Sequence, residues 1–237
     1  MNLFPTSVVG SLPRPAFVLD ILANRDGLSS AEFEQRMQAA IGYAVVMQEQ
    51  AGLDVLTDGE WRRKSYIGVI SELADGFELG AFADGRPFTV VVDKLAAKAG
   101  GFVAREVSFL KDSTERGIKS TLPSPALLGE RLWSPDKSAR AYPQRADFVR
   151  ACVPILRREV ELVRDAGADI IQIDDPHLCL FVDPTVRGHY EDPEAAAALA
   201  VEMINEIKPV KQIISDMMNE MEEAFKELET GFANTKN

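Results

Sequence analysis

Gln50-Ala-Gly52-Leu-Asp54-Val-Leu-Thr-Asp58-Gly59-Glu60 and Asp165-Ala-Gly167-Ala-Asp169-Ile-Ile-Gln172-Ile-Asp174-Asp175-Pro176 are the two stretches whose reading decides the fold. Each leaves a long amphipathic segment, breaks at an Ala-Gly pair, passes through a short apolar run and delivers carboxylates. Before the first stretch, Ser29-Ser30-Ala31-Glu32 has the form of a capping box. Phe33, Met37, Ile41, Ala44 and Val45 then recur at spacings of three and four, which is one apolar helical face. Before the second, from about Gln144, the residues Phe148, Cys152, Ile155, Leu156, Val160 and Val163 do the same. Gly52 and Gly167 are residues that tolerate a left-handed helix end. Continuous Val/Ile/Leu strands joined by helical crossovers predict a parallel sheet in α/β layers. Ligands of such folds collect at the C-terminal ends of the strands, so the acids after each strand stand where chemistry is expected.

Working outward, Thr6-Ser-Val-Val9 reads as a strand ending in Gly10-Ser11-Leu12-Pro13. A helix-like stretch from about Val103 to Arg116 precedes a strand at Ile118–Leu122, which ends in Pro123-Ser124-Pro125. Phe77 to Asp93 alternates around Asp84-Gly85, a favoured tight-turn pair, and is expected to form a β-hairpin insertion. After Glu191-Asp192-Pro193 a helix is expected to about Ile207. Pro209 interrupts it, and Lys211 to Phe232 resumes a helical pattern with no strand after it. A complete (β/α)8 barrel typically needs about 250 residues, and the 237 residues here would just suffice. Counted strand by strand, however, only four barrel strands are found.

The chain has 26 Lys and Arg against 37 Asp and Glu, a formal charge of −11, which argues against nucleic acid or an anionic membrane as the main partner. No stretch approaches the roughly 18 consecutive apolar residues of a membrane span. The first residues carry no basic segment followed by an apolar one, so no secretory leader is expected. Cys152 and Cys179 make no disulfide framework and read as thiols of a reducing, cytoplasmic compartment.

Glu60 and Asp174 are expected to face one another across the mouth of a barrel. There a carboxylate pair can hold an ammonium group or a metal, or relay protons; the alternative is loop acids facing solvent. Gly10-Ser11 offers a hydroxyl and backbone N–H groups to a ligand carboxylate, although Gly-Ser is also an ordinary turn. His177-Leu-Cys179 has a spacing that can chelate a soft divalent ion. Two ligands make no closed site, and His189 and Cys152 are not at convergent positions, so no metal ligands are assigned. Arg62-Arg63-Lys64 reads as a solvated loop, with anion binding as the alternative. Trp133 is a stacking platform or a cap on the core. No phosphate loop, dinucleotide fingerprint or nucleophile elbow is present.

Taken in order, Ser7-Val-Val-Gly10-Ser11-Leu-Pro13, Gln50 to Glu60, Leu122-Pro123-Ser124-Pro125 and Ile171-Gln172-Ile-Asp174-Asp175-Pro176 resemble the C-terminal catalytic barrel of cobalamin-independent methionine synthase and its shorter single-barrel relatives. The resemblance spans roughly residues 6–207, with 208–237 as a helical tail that does not match. It implies a (β/α)8 TIM-barrel fold, present here as about four β/α units, and zinc-dependent methyl transfer from a folate-type donor to the thiol of homocysteine. It also implies that Gly10 and Ser11 hold the amino-acid carboxylate, and that Glu60 and Asp174 hold its ammonium. Asp175 stands where the family usually has glutamate or aspartate. The family's zinc ligands follow later strands, and their pattern is not found after residue 207. A noncatalytic truncated barrel that binds an amino acid or a partner chain is a second reading. Another barrel enzyme, related to uroporphyrinogen decarboxylase or to thiol-alkylating transferases, is a third. A half barrel would expose strand edges and an apolar inner face, so a homo-oligomer is expected.

Overall fold

The Ser29 hydroxyl accepts from the Glu32 backbone N–H at 3.2 Å while the Glu32 carboxylate accepts from the Ser29 N–H at 3.0 Å, closing the predicted capping box at the start of a 21-residue helix. The structure, a computed structural model, describes residues 4–82 and 87–207. In chain order it contains α1 (Ala16–Ala23), α2 (Ser30–Gln50), β1 (Val55–Leu56), α3 (Ile70–Leu73), β2 (Ala74–Ala81) and β3 (Pro87–Ala97). There follow α4 (Phe102–Lys111), β4 (Gly117–Pro123), α5 (Pro125–Leu132), α6 (Pro135–Ser138), α7 (Arg145–Asp165), β5 (Ile170–Asp174), α8 (Pro184–Arg187) and α9 (Pro193–Ile207).

The parallel sheet runs β1-β4-β5, with Leu56 opposite Ile118 and Pro123 opposite Asp174. The predicted first strand shrinks to one parallel bridge, Ser7 with Val55. Side chains take the groups that a longer ladder would use. Asp54 accepts from the Thr6 N–H and hydroxyl at 2.9 and 2.8 Å. Lys119 Nζ donates to the carbonyls of Val8 and Val9, and Gln172 Nε2 also donates to Val9. The hairpin is present, β2 and β3 being antiparallel. Its predicted turn pair Asp84-Gly85 and the predicted helix over 211–232 lie outside the described residues.

Strand register sorts the side chains into two faces. Ile118 and Leu122, with Ile171 and Ile173 of the neighbouring strand, join the core formed by Val107 and Leu110 of α4 and by Phe148, Cys152 and Leu156 of α7. Lys119 and Thr121, with Gln172 and Asp174, occupy the opposite face. The expectation of an apolar inner face is therefore corrected. Among the described residues the face that the helices cover is mainly apolar, and the other carries most of the charge and hydrogen-bonding capacity.

The N-terminus of α4 has no side-chain cap of its own, because Gly101 stands there. The buried Glu159 carboxylate of α7 substitutes, accepting from the N–H groups of Gly101, Val103 and Ala104 at 2.6, 2.7 and 3.2 Å. A carboxylate also suits the positive end of the helix dipole. Glu159→Ala is expected to lower stability by about 1–3 kcal/mol, since it strands these donors. Urea unfolding checks this, and an unchanged midpoint would contradict the capping role.

Candidate functional site

The site begins with a sharp reversal after β1. Gly59 and Glu60 have φ of +69° and +58°, two successive left-handed residues. For a glutamate this conformation costs about 1–2 kcal/mol. Four contacts hold the reversal. Thr57 Oγ1 accepts from the Gly59 N–H at 3.1 Å, Asp58 Oδ1 accepts from the Glu60 N–H at 2.9 Å, the Gly59 carbonyl accepts from the Leu12 N–H at 3.1 Å, and Trp61 Nε1 donates to the Leu12 carbonyl at 3.2 Å. The Glu60 side chain is thereby turned inward and is only 3% exposed. The Ser11 hydroxyl donates to its Oε2, and the Thr121 hydroxyl donates to its Oε1 at 2.5 Å. A Cβ on Gly10 would stand 3.1 Å from Oε1, so glycine is what lets the first loop approach this carboxylate.

Arg63 anchors the same loop. It is 2% exposed, and its guanidinium forks onto Glu106 of α4, with Nη2–Oε2 at 2.7 Å and Nε–Oε1 at 3.2 Å. Its Nη1 donates to the Thr121 carbonyl at 2.9 Å. Arg14 Nη2 donates to the carbonyls of Glu60 and Arg63, tying the first loop to the second. Burial works against the Arg63 cation, but Glu106, Asp58 and Glu60 outweigh it and raise its pKa. Burial pushes the Glu106 carboxyl up, and the Arg63 fork opposes that shift.

Across the sheet, Gln172 Nε2 donates to Asp174 Oδ1, and the Asp174 carbonyl accepts from the Ser124 N–H at 2.9 Å. Lys119 Nζ reaches Gln172 Oε1 at 3.1 Å. Burial lowers the Lys119 pKa, partly countered by Asp174. Tyr66 stands just beyond the Arg63 anchor: burial, then Asp174 through its charge and a hydrogen bond, then the charge of Glu60 raise its pKa, so its hydroxyl keeps its proton.

Gly10, Ser11 and Glu60 are thus brought together, and Asp174 lies on the neighbouring strand, beside the Gln172 that stands opposite Thr121. The Ser11 hydroxyl is already engaged by Glu60. Asp175 accepts from the Ser124 hydroxyl at 2.6 Å and the Leu178 N–H at 3.2 Å, orienting the loop after β5. His177 has both ring nitrogens buried without a partner, while Cys179 is exposed with its thiol 3.1 Å from the Pro176 carbonyl. Among the described residues no group of three or more His, Cys, Asp or Glu can hold a metal ion.

The reading of Arg62-Arg63-Lys64 as a solvated loop is corrected. Lys64 alone is exposed. Arg62 pairs with Glu34 at 2.8 Å and lies 5.0 Å over the Phe109 ring. It borders a cavity of about 690 Å³ whose lining includes none of the four predicted binding residues. Trp133 caps the core, its Nε1 donating to the Tyr142 carbonyl at 2.9 Å. Sequence reasoning missed Arg14, Tyr66, Glu106, Lys119, Thr121 and Gln172. The last three carried a signal in the polar positions alternating with Ile118, Leu122, Ile171 and Ile173 along buried strands.

Fold and site together define an α/β protein with carboxylates gathered at the C-terminal ends of parallel strands. The family model for "Cobalamin-independent synthase, Catalytic domain" matches residues 4–205, and the chain belongs to that family. It is 28% identical over 228 residues to a methionine synthase of Pyrococcus horikoshii, covering 90% of this chain and 60% of that one. It is 31% identical over 189 residues to a 5-methyltetrahydropteroyltriglutamate–homocysteine methyltransferase of Vibrio vulnificus, covering 74% of this chain and 23% of the relative. The structure of a B12-independent methionine synthase from a Shewanella species, in complex with selenomethionine, shares the fold. Its TM-score is 0.62 at 23% identity, over 84% of this chain and 58% of that chain. This chain therefore spans between about a quarter and three fifths of the relatives it matches.

Removing one partner of a buried ion pair leaves an uncompensated charge, which typically costs about 3–5 kcal/mol. Arg63→Ala is expected to destabilise by that order in denaturant unfolding, and the double replacement Arg63→Met with Glu106→Leu to recover most of the loss. A single variant as stable as the parent would contradict the anchoring role.

Proposed function

We propose that this chain carries the amino-acid-recognising part of a methionine-synthase barrel, with homocysteine as methyl acceptor and a folate-type compound as methyl donor. The observation that supports the reading is that Glu60, fixed by Ser11 and Thr121, reaches through Thr121 the sheet face that carries Gln172 and the Asp174 it holds. Two carboxylates oriented by neutral hydroxyl and amide donors suit a ligand ammonium. Gly10 and Ser11 contribute backbone N–H groups to the ligand carboxylate, because the Ser11 hydroxyl is engaged by Glu60. The described residues do not fit the zinc site that the family resemblance implies. No step of this reading runs through a metal.

Calorimetry with L-methionine and L-homocysteine tests the pocket. Asp174→Asn and Glu60→Gln are each expected to weaken binding roughly 10- to 100-fold, the range for a hydrogen-bonded charge lost from a partly buried site. Unchanged affinity in both variants would remove the acid pair from the account. Methyl transfer to homocysteine, assayed with the methylfolate donor with and without added zinc, tests the activity.

The barrel reading also concerns the sheet edges. Among the described residues β5 pairs only with β4, and the segment before Gly10 makes one bridge. We infer that further β/α units cover these edges and that a second copy of the chain supplies them, completing an eight-stranded barrel. Light scattering at micromolar concentration is expected to give a dimer, and a folded monomer would contradict it.

A further inference from the structure

The cavity of about 690 Å³ between α2 and α4 takes no part in the amino-acid reading, and its volume is that of a small-molecule site. Its described lining includes Phe33 of α2 with Phe102 and Phe109 of α4, and each ring has a guanidinium over it. Arg25 stands 4.2 Å from the Phe33 centroid, Arg62 5.0 Å from that of Phe109 and Arg105 5.7 Å from that of Phe102. Four of the described lining residues are cationic and three acidic, whereas the chain as a whole carries −11. Arg62 is the cation among them whose hydrogen bonds are incomplete. Its side chain is only 7% exposed, and its partner Glu34 is 46% exposed. Glu34 gives it a single oxygen: Oε1 accepts from Arg62 Nε at 3.2 Å, from Arg62 Nη2 at 2.8 Å and from Gln38 Nε2 at 3.4 Å. Arg62 Nη1 is buried and has no hydrogen-bond partner. The neighbouring Arg63, by contrast, holds both oxygens of Glu106 and the Thr121 carbonyl. Buried donors are normally matched, and a guanidinium is best matched by both oxygens of one anion. Arg62 therefore keeps a capacity that Glu34 does not fill, and the half-exposed Glu34 is the group that can give way.

We propose that this cavity is a second binding site, for an aromatic carboxylate. The ligand carboxylate takes the two terminal nitrogens of Arg62, Nη1 and Nη2, while Glu34 turns out to solvent. The ligand ring lies among Phe33, Phe102 and Phe109. Arginine–phenylalanine pairs offer flat surfaces to a flat ring, and a lining richer in cations than the rest of the chain favours a negative head. A ligand ammonium has no place beside three guanidinium groups, so the site is distinct in its chemistry from the one at Glu60 and Asp174. No covalent bond forms or breaks. Arg62 exchanges the carboxylate of Glu34 for that of the ligand, and binding is a competition between the two.

Calorimetry on the full chain tests this, with naphthalene-2-carboxylate and its neutral counterpart naphthalene-2-carboxamide as probes. The parent is expected to bind the carboxylate with a Kd below about 1 mM, and the carboxamide at least roughly 10-fold more weakly, because Arg62 selects the charge. Glu34→Gln is expected to bind the carboxylate roughly 3- to 10-fold more tightly, the competing charge being gone, and the carboxamide within about twofold of the parent. Arg62→Gln is expected to bind the carboxylate roughly 10-fold more weakly or worse. Should Arg62→Gln fail to fold, the gain in Glu34→Gln still decides, since misfolding does not raise affinity. L-methionine is expected not to compete with the carboxylate probe. No binding by the parent near 1 mM, equal affinity for the two probes, an unchanged or weaker carboxylate affinity in Glu34→Gln, full affinity in a folded Arg62→Gln or competition by L-methionine would each overturn the proposal. None of these outcomes bears on whether Glu60 and Asp174 bind an amino acid, except competition, which would place both ligands at one site.

Discussion

The fork of Arg63 onto Glu106 is the interaction on which the remaining geometry depends. It links the loop after β1 to α4, and through the Thr121 carbonyl it links both to β4. Glu60 stands three residues before this anchor and Tyr66 three residues after it, so both inherit their placement from it. A buried ion pair is weak ground for net stability, because its desolvation penalty rivals its attraction. Its value here lies in position. The left-handed Glu60 stores about 1–2 kcal/mol of backbone strain. A fork whose breakage costs about 3–5 kcal/mol is enough to hold it. Glu159 serves the same end from further out, since it fixes the start of the helix that carries Glu106.

Much of the fold was legible because helix caps and strand runs are local signals. The capping box at Ser29, the Ala-Gly breaks and the apolar runs into Asp58 and Asp174 each rest on residues close in sequence. The first strand was misjudged for a nonlocal reason. The carbonyls of Val8 and Val9 are taken by Lys119 and Gln172, more than a hundred residues away, and no local pattern reports that. Arg63 was misjudged likewise, because a basic triplet looks solvated until the partner on α4 is in place. Glu60 and Asp174 were singled out from their position after strands, a signal that is local. Thr121 and Tyr66, which give the acids their surroundings, carry no motif.

Polarity of the sheet face that no described helix covers changes what the proposed incomplete barrel would require. An apolar inner face would have to be buried at once, whereas Lys119, Gln172 and Asp174 bond one to the next across two strands and Thr121 bonds to Glu60. The remaining demand is at the edges, where backbone groups seek a ladder. Relatives in the family are longer than this chain, and the share of the Shewanella structure that it leaves uncovered is 42%, the remainder of the 58% matched. The four residues proposed to recognise the amino acid lie in the part that is present.

The account's central claim is that Glu60 and Asp174 together receive a ligand ammonium. A crystal structure of the full chain grown with L-homocysteine tests it most directly. The account predicts the ligand nitrogen within hydrogen-bond distance of both carboxylates, with the ligand carboxylate at the Gly10-Ser11 turn. Ligand density seated instead in the cavity beside Arg62 and Phe109, with the Glu60 and Asp174 carboxylates untouched, would contradict it.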